Sequence, residues 1–300
     1  MEFKLGLVHM IAAKSKPELE PMLSELQLGE FIYEQPAVGD LEYTFKHALT
    51  HDVAYKSVLK ERRQFLHERT GAGLESIYAD NLDDHVAELA HHYTRNGNPG
   101  KAVKYCLRAV RQCTARGSYA EAFAQFETGL ELLPKLPDDD QRAELELDLR
   151  NASGLAVGVI KGWRSPDAER SSERAIALCQ RPGLDWRKTW SALRIVFLIR
   201  WNSFDLRKAC ETAAELIARA EEHESTEHIA IAASCLAFAR LDSGEFELSN
   251  QGLDRVMALW ESIGKPATNP SERLGNLAAN RARSAGNLWF LVIRTKRLSG

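Results

Sequence analysis

The sequence predicts a mainly all-α protein, a solenoid of helical repeats preceded by a small domain with one β-hairpin. Three observations predict it. From Asp83 onward apolar residues recur at helical spacing and no alternating strand pattern returns. Short turns rich in Gly, Pro, Asn and Asp punctuate that pattern. Near the N-terminus the pattern differs: EFIYEQ and LEYTFK are rich in aromatic and β-branched residues, with turn formers between them. The expected division is residues 1–80 for the small domain and 81–300 for the repeats.

In the first eighty residues, Phe3–Ala13 reads as a short apolar helix. Ser15 caps a second one, with Pro17, Glu18 and Glu20 in its first turns and Leu19, Met22, Leu23 and Leu26 as its stripe. PAVGD, with Pro36, Gly39 and Asp40, joins the two hairpin strands. One long helix is expected from about Ala48 to Leu74, through Val53, Ala54, Val58, Leu59 and Leu66. Helix, helix, hairpin, helix is a winged-helix-like order.

The repeats are clearest at Gly117–Pro134. Ala122, Phe126, Gly129 and Leu133 form one stripe whose small members admit a neighbouring helix, and Pro134 ends it. Ala102, Cys106 and Ala109 repeat that spacing, and Asp83–Arg116 has the length and small/large pattern of a tetratricopeptide repeat. A late pair matches best: Ala233, Leu236, Ala237 and Arg240, a turn at Gly244 and Phe246, then Ser249, Leu253 and Val256. Looser pairs are Ala143–Ile160 with Ser165–Cys179, and Trp186–Arg200 with Leu206–Glu222. Breaks fall at Pro134–Asp140, Arg181–Asp185 and Gly264–Glu272, and about ten helices are expected to stack into a right-handed solenoid with a concave face.

Composition narrows the chemistry. A net charge of −3 over 300 residues gives no polyanion-binding signature for the whole chain. Five scattered cysteines without a CxxC pair fit neither a zinc ribbon nor a disulfide framework, so a reducing cytoplasm is the expected location. Cys106 and Cys113, two helical turns apart, read as core positions. No apolar run is long enough to cross a bilayer; Ile195–Ile199 reads as a buried helix segment.

His47 and His51 with Asp52, and the pair His91 and His92, invite a metal reading, but zinc needs three or four ligands and no H-E-x-x-H is present. Helix-start and packing roles are expected instead. Lys56, Lys60, Arg62, Arg63 and Arg69 form a basic run diluted by Glu61 and Glu68, read as a solvated face. Trp163, Trp186, Trp190 and Trp201 read as packing residues. The acidic groups Glu221, Glu222 and Asp138–Asp140 read as solvated ends and loops. No G-x-x-x-x-G-K-[ST] phosphate loop occurs, and neither GLVHMIAAK nor GKPATNPS replaces it. No catalytic residue, cofactor or metal is assigned.

LEYTFKHALTHDVAYKSVLKERRQFLH resembles the segment just after the ATPase module of large bacterial signalling proteins. These are class III adenylate/guanylate cyclases with an AAA-like ATPase and tetratricopeptide repeats, and related STAND-type ATPase regulators. Phe45, His47 and Ala48, then Asp52, Ala54 and Tyr55, then Arg62, Arg63 and His67 carry the likeness. The resemblance implies a fragment, truncated at both ends, that is non-catalytic and regulatory. Its repeats would bind a protein partner, and its winged-helix-like start would relay to an ATPase or cyclase module; no membrane contact is implied. The alternative is a fragment of a transcriptional regulator that contacts DNA through the winged helix or a further domain. At the C-terminus, Leu288–Leu291 precedes VIRTKRLSG, where the family often continues Gly-Tyr-Pro-Asp-x-Ala. Those codons read one base late can spell Val292–Arg297, so a frameshift and a basic tail both stand as explanations.

Overall fold

The computed structural model describes residues 2–12, 14–35 and 41–263. The PAVGD turn, the Gly264–Glu272 break and the Leu288–Arg297 segment lie outside them. Thirteen α-helices and a three-stranded sheet are described, which makes the fold mainly all-α with helical repeats. The chain divides into two compact units, 1–145 and 146–300.

In the first unit the expected hairpin forms. β2 (Ile32–Gln35) pairs antiparallel with β3 (Glu42–Phe45) in the register Ile32 to Phe45. A third strand was not foreseen: Glu2–Lys4 (β1) pairs with the far edge of β3, with Phe3 opposite Tyr43. The helix expected over Phe3–Ala13 therefore begins only at Leu5, as α1 (Leu5–Ala12). An edge strand of three residues carries too little pattern to be read locally; the partner β3 creates it.

α2 (Lys16–Leu28) starts where Ser15 stands, and the Glu18 carboxylate accepts from both the Ser15 N–H (2.7 Å) and its hydroxyl (2.6 Å). Leu5, Leu19, Leu23, Ile32 and Tyr43 form the core between these elements, backed by Phe3, Val8 and Phe45.

The long helix expected from Ala48 to Leu74 is two helices, α3 (Ala48–Ser57) and α4 (Lys60–Ile77). Val58 and Leu59 between them are extended, at ψ 132° and 148°. The cause is local. The Ser57 hydroxyl donates to the Ala54 carbonyl (2.7 Å), the acceptor that the Val58 N–H would use in a continuing helix. The Val58 N–H turns to Tyr55 O instead, at 3.4 Å.

α5 (Val86–Asn96), α6 (Pro99–Ala115) and α7 (Tyr119–Leu132) follow, each packed on the next. Turns this short make successive helices antiparallel. The stripe of Ala122, Phe126, Gly129 and Leu133 is buried throughout, as are Ala102, Cys106 and Ala109. α4 and the α5–α6 pair are also joined by a polar lock. Glu75 accepts from Lys101 (2.8 Å) and Tyr105 (2.7 Å), and Lys101 also reaches Tyr93 (3.0 Å). Burial opposes the charge on Glu75, but these hydrogen bonds outweigh it and hold the carboxyl below its usual range.

α8 (Asp140–Lys161) contains the boundary between the units. In the second unit, α9 (Pro166–Cys179), α10 (Trp186–Asn202), α11 (Leu206–Glu222), α12 (Thr226–Asp242) and α13 (Phe246–Ile263) again pack each on the next. Ser165, Asp185 and Asp205 cap α9, α10 and α11 by accepting from backbone N–H groups. Small residues line the packed faces. Ala209, Ala213 and Ala220 on α11 and Ala230 on α12 are fully buried, as is the side chain of Leu216. Glu146 is a buried anion held by Arg150 (2.9 Å) and Arg174 (2.7 Å).

Candidate functional sites

The first unit concentrates its titratable groups in one place. His67 on α4, buried, faces Tyr55 of α3 through Nε2 (2.8 Å) and His92 of α5 through Nδ1 (2.9 Å). The Arg95 guanidinium, which only donates, lies 3.4 Å from the Tyr55 oxygen. A consistent assignment of protons runs along the chain. Arg95 donates to Tyr55, Tyr55 to His67 Nε2, and His67 Nδ1–H to the unprotonated Nδ1 of His92. Burial and neighbouring positive charge, from His91 and Arg95 among others, lower both imidazoles to about 4. Both imidazoles are therefore neutral at pH 7. The cluster's job is to tie three helices together.

The ring contacts extend this tie toward the sheet. Phe45 meets His51 edge-on (5.2 Å), His51 stacks on Tyr55 (6.1 Å), and Tyr55 meets His67 (5.8 Å). His47 stands at the start of α3, and His51 points at Asp52 (3.2 Å). These are the packing and helix-start positions expected of the histidines. Among the described residues no three His, Cys, Asp or Glu side chains are arranged to hold a metal ion. His67 lay in the resembled stretch, but its pairing with His92, 25 residues away, left no local signal.

The basic run divides. Arg63 stacks over Tyr55 (5.1 Å), and Arg69 donates to the Met10 carbonyl (2.5 Å). Lys56, Lys60 and Arg62 remain exposed. The same region exposes Leu49, Val53 and Leu59, and α3 buries none of its residues. Asp138 pairs with Arg142 and Glu221 lies 3.7 Å from Arg255, in exposed positions as expected.

In the second unit the tryptophans pack. Trp190 is buried and donates to the Leu216 carbonyl (3.0 Å), Trp186 stacks on His223 (4.4 Å), and Trp201 donates to Asp242 (2.6 Å). Trp163 lies against Gly158 so closely that a Cβ there would sit 2.3 Å from its ring. Trp163 also helps to wall a cavity of about 270 Å³. Its other walls come from the first turns of α9, the end of α10 and the start of α11, including Glu169, Glu173, Ile199, Arg200 and Lys208. Two of its cations are engaged: Arg200 donates to Thr212 (2.5 Å) and Lys208 pairs with Asp205 (3.1 Å). No sequence motif marked this cavity, because its walls come from three helices. Cys106 and Cys179 lie in the cores, where burial pushes each thiol up to about 11 and keeps it protonated.

The chain matches no protein-family profile. It is 28% identical over 155 residues to an uncharacterized protein of Rhizobium meliloti (strain 1021), an alignment spanning 51% of this chain and 15% of that protein. Its fold is similar to the crystal structure of a signal transduction ATPase with numerous domains (STAND) protein with a tetratricopeptide repeat sensor from Pyrococcus horikoshii. That likeness has a TM-score of 0.51 at 10% identity and covers 99% of this chain and 46% of the other. At this identity the likeness is one of fold. The chain thus spans about a seventh of its curated relative and under half of the solved protein.

Proposed function

We propose that this chain is a non-catalytic regulatory and protein-interaction region of a bacterial ATPase- or adenylate cyclase-type signalling protein, working in the cytoplasm. The repeats bind a protein partner, and the winged-helix-like region at 1–80 relays its state to a nucleotide-binding module. The observation that carries this reading is the fold likeness to the STAND protein with its repeat sensor, which extends along 99% of the chain. Supporting it, the sequence has no phosphate loop to hold ATP. The cyclase assignment rests on the resemblance of residues 41–67 alone. Among the described residues no helix is long and apolar enough to cross a membrane.

Calorimetry with ATP and magnesium, together with a cyclic-nucleotide assay on the purified chain, is expected to be blank. Saturable ATP binding at micromolar affinity would overturn the reading. The exposed Lys56, Lys60 and Arg62 favour a second reading, DNA contact by a transcriptional regulator. Salt-sensitive DNA binding that Lys60→Glu with Arg62→Glu abolishes would favour that rival.

A further inference from the structure

The cavity of about 270 Å³ in the second unit has walls of balanced charge. Arg164, Arg200 and Lys208 stand against Glu169, Glu173 and Asp205. Three of these charges are already used: Lys208 pairs with Asp205 (3.1 Å), and Arg200 donates to Thr212. Among the described residues Arg164, Glu169 and Glu173 form no hydrogen bond or ion pair. Opposite charges that share one cavity without meeting leave a gap that a molecule carrying both signs can bridge.

Helix α9 sets the order of those charges. Arg164 immediately precedes the cap Ser165, at the positive end of the helix. Glu169 lies in the first turn and Glu173 one turn further in. An anionic group therefore fits at the start of α9 and a cationic group beyond it. Trp163, from the α8–α9 turn, and Ile199, from α10, give the remaining wall its apolar surface.

A second observation points the same way. Ser172, which stands between Glu169 and Glu173 on α9, also walls a narrower void of about 10 Å³ with Ile199 and residues of α8. Asn151 lines that void, and its buried Oδ1 has no hydrogen-bond partner among the described residues. A buried acceptor without a donor is costly, and this one adds lone pairs beside the two free carboxylates.

We infer that this cavity binds a free α-amino acid with an apolar side chain. The ligand's carboxylate meets Arg164, its ammonium group meets Glu169 and Glu173, and its side chain lies along Trp163 and Ile199. The volume is near the lower end for small-molecule sites, about 300 Å³, which suits a molecule of this size. Such a ligand is distinct from the protein partner of the repeats, and the regulatory reading stands with or without it.

Calorimetric titration of the full chain with L-phenylalanine and with L-leucine tests it. Saturable binding of at least one is expected. L-Phenylalanine amide lacks the carboxylate and N-acetyl-L-phenylalanine lacks the ammonium charge, so each should bind about tenfold more weakly than phenylalanine. Arg164→Gln should remove the advantage of phenylalanine over its amide. Glu169→Gln/Glu173→Gln should remove its advantage over the acetyl derivative. All three residues are exposed, so both variants should keep the parent's thermal midpoint. No saturable binding of either amino acid would overturn the inference. So would equal binding of either derivative, or an advantage that survives the substitutions. Failure here with nucleotide calorimetry still blank removes this site and leaves the regulatory reading standing.

Discussion

α3 and α11 both carry apolar residues at helical spacing, yet they are held in opposite ways. α11 buries Ala209, Ala213, Leu216 and Ala220 completely between its neighbours. α3 buries nothing, leaves Leu49 and Val53 in solvent, and is fixed by Tyr55 and the imidazoles of His51 and His67. Small residues let α11 approach its partners closely, so dispersion and apolar burial hold it. α3 depends on a few directional contacts. The difference teaches that α11 is stabilised by non-directional apolar packing, whereas α3 is held by a network that protons can disturb.

The largest expected effect is in the repeats. Leu216→Ala removes a fully buried side chain and should cost about 4 kcal/mol in chemical denaturation. A loss under about 1 kcal/mol would mean that α11 is not packed as described.

Acid should act on the other region. Both His67 and His92 sit at about 4 in the folded chain, below the ordinary histidine value of 6.5. An unfolded chain takes up those protons first, so their contribution is full above about pH 6.5 and is lost as pH falls toward 4. The loss should be about 3 kcal/mol for the coupled pair, and a His67→Gln/His92→Gln variant should flatten that part of the stability profile. An unchanged profile in the variant would detach the acid response from this cluster.

Overpacking gives the next effect. Ala122→Leu, at a fully buried position on α7, should cost about 2 kcal/mol, read as a lower thermal midpoint. An unchanged midpoint would show that the stripe has room the packing does not suggest. The smallest effect is the sharpest contrast: Leu49→Ala, at 74% exposure, should change stability by less than about 0.5 kcal/mol. A larger loss would show that α3 is covered by a neighbour.

By itself the sequence determined the repeats to within a few residues. Leu206–Glu222 was legible end to end, because Asp205 caps it and its alanines keep helical period. The hairpin strands were legible from their aromatics, and the packing fate of the tryptophans from their place on helices. What tertiary structure alone decided is non-local. β1 exists because β3 offers it an edge. His67 became a junction only when α5 brought His92 to it, and the cavity beside Trp163 formed only when three helices met. Periodicity reports which face of a helix is apolar, but it carries no record of which distant residue that face will meet.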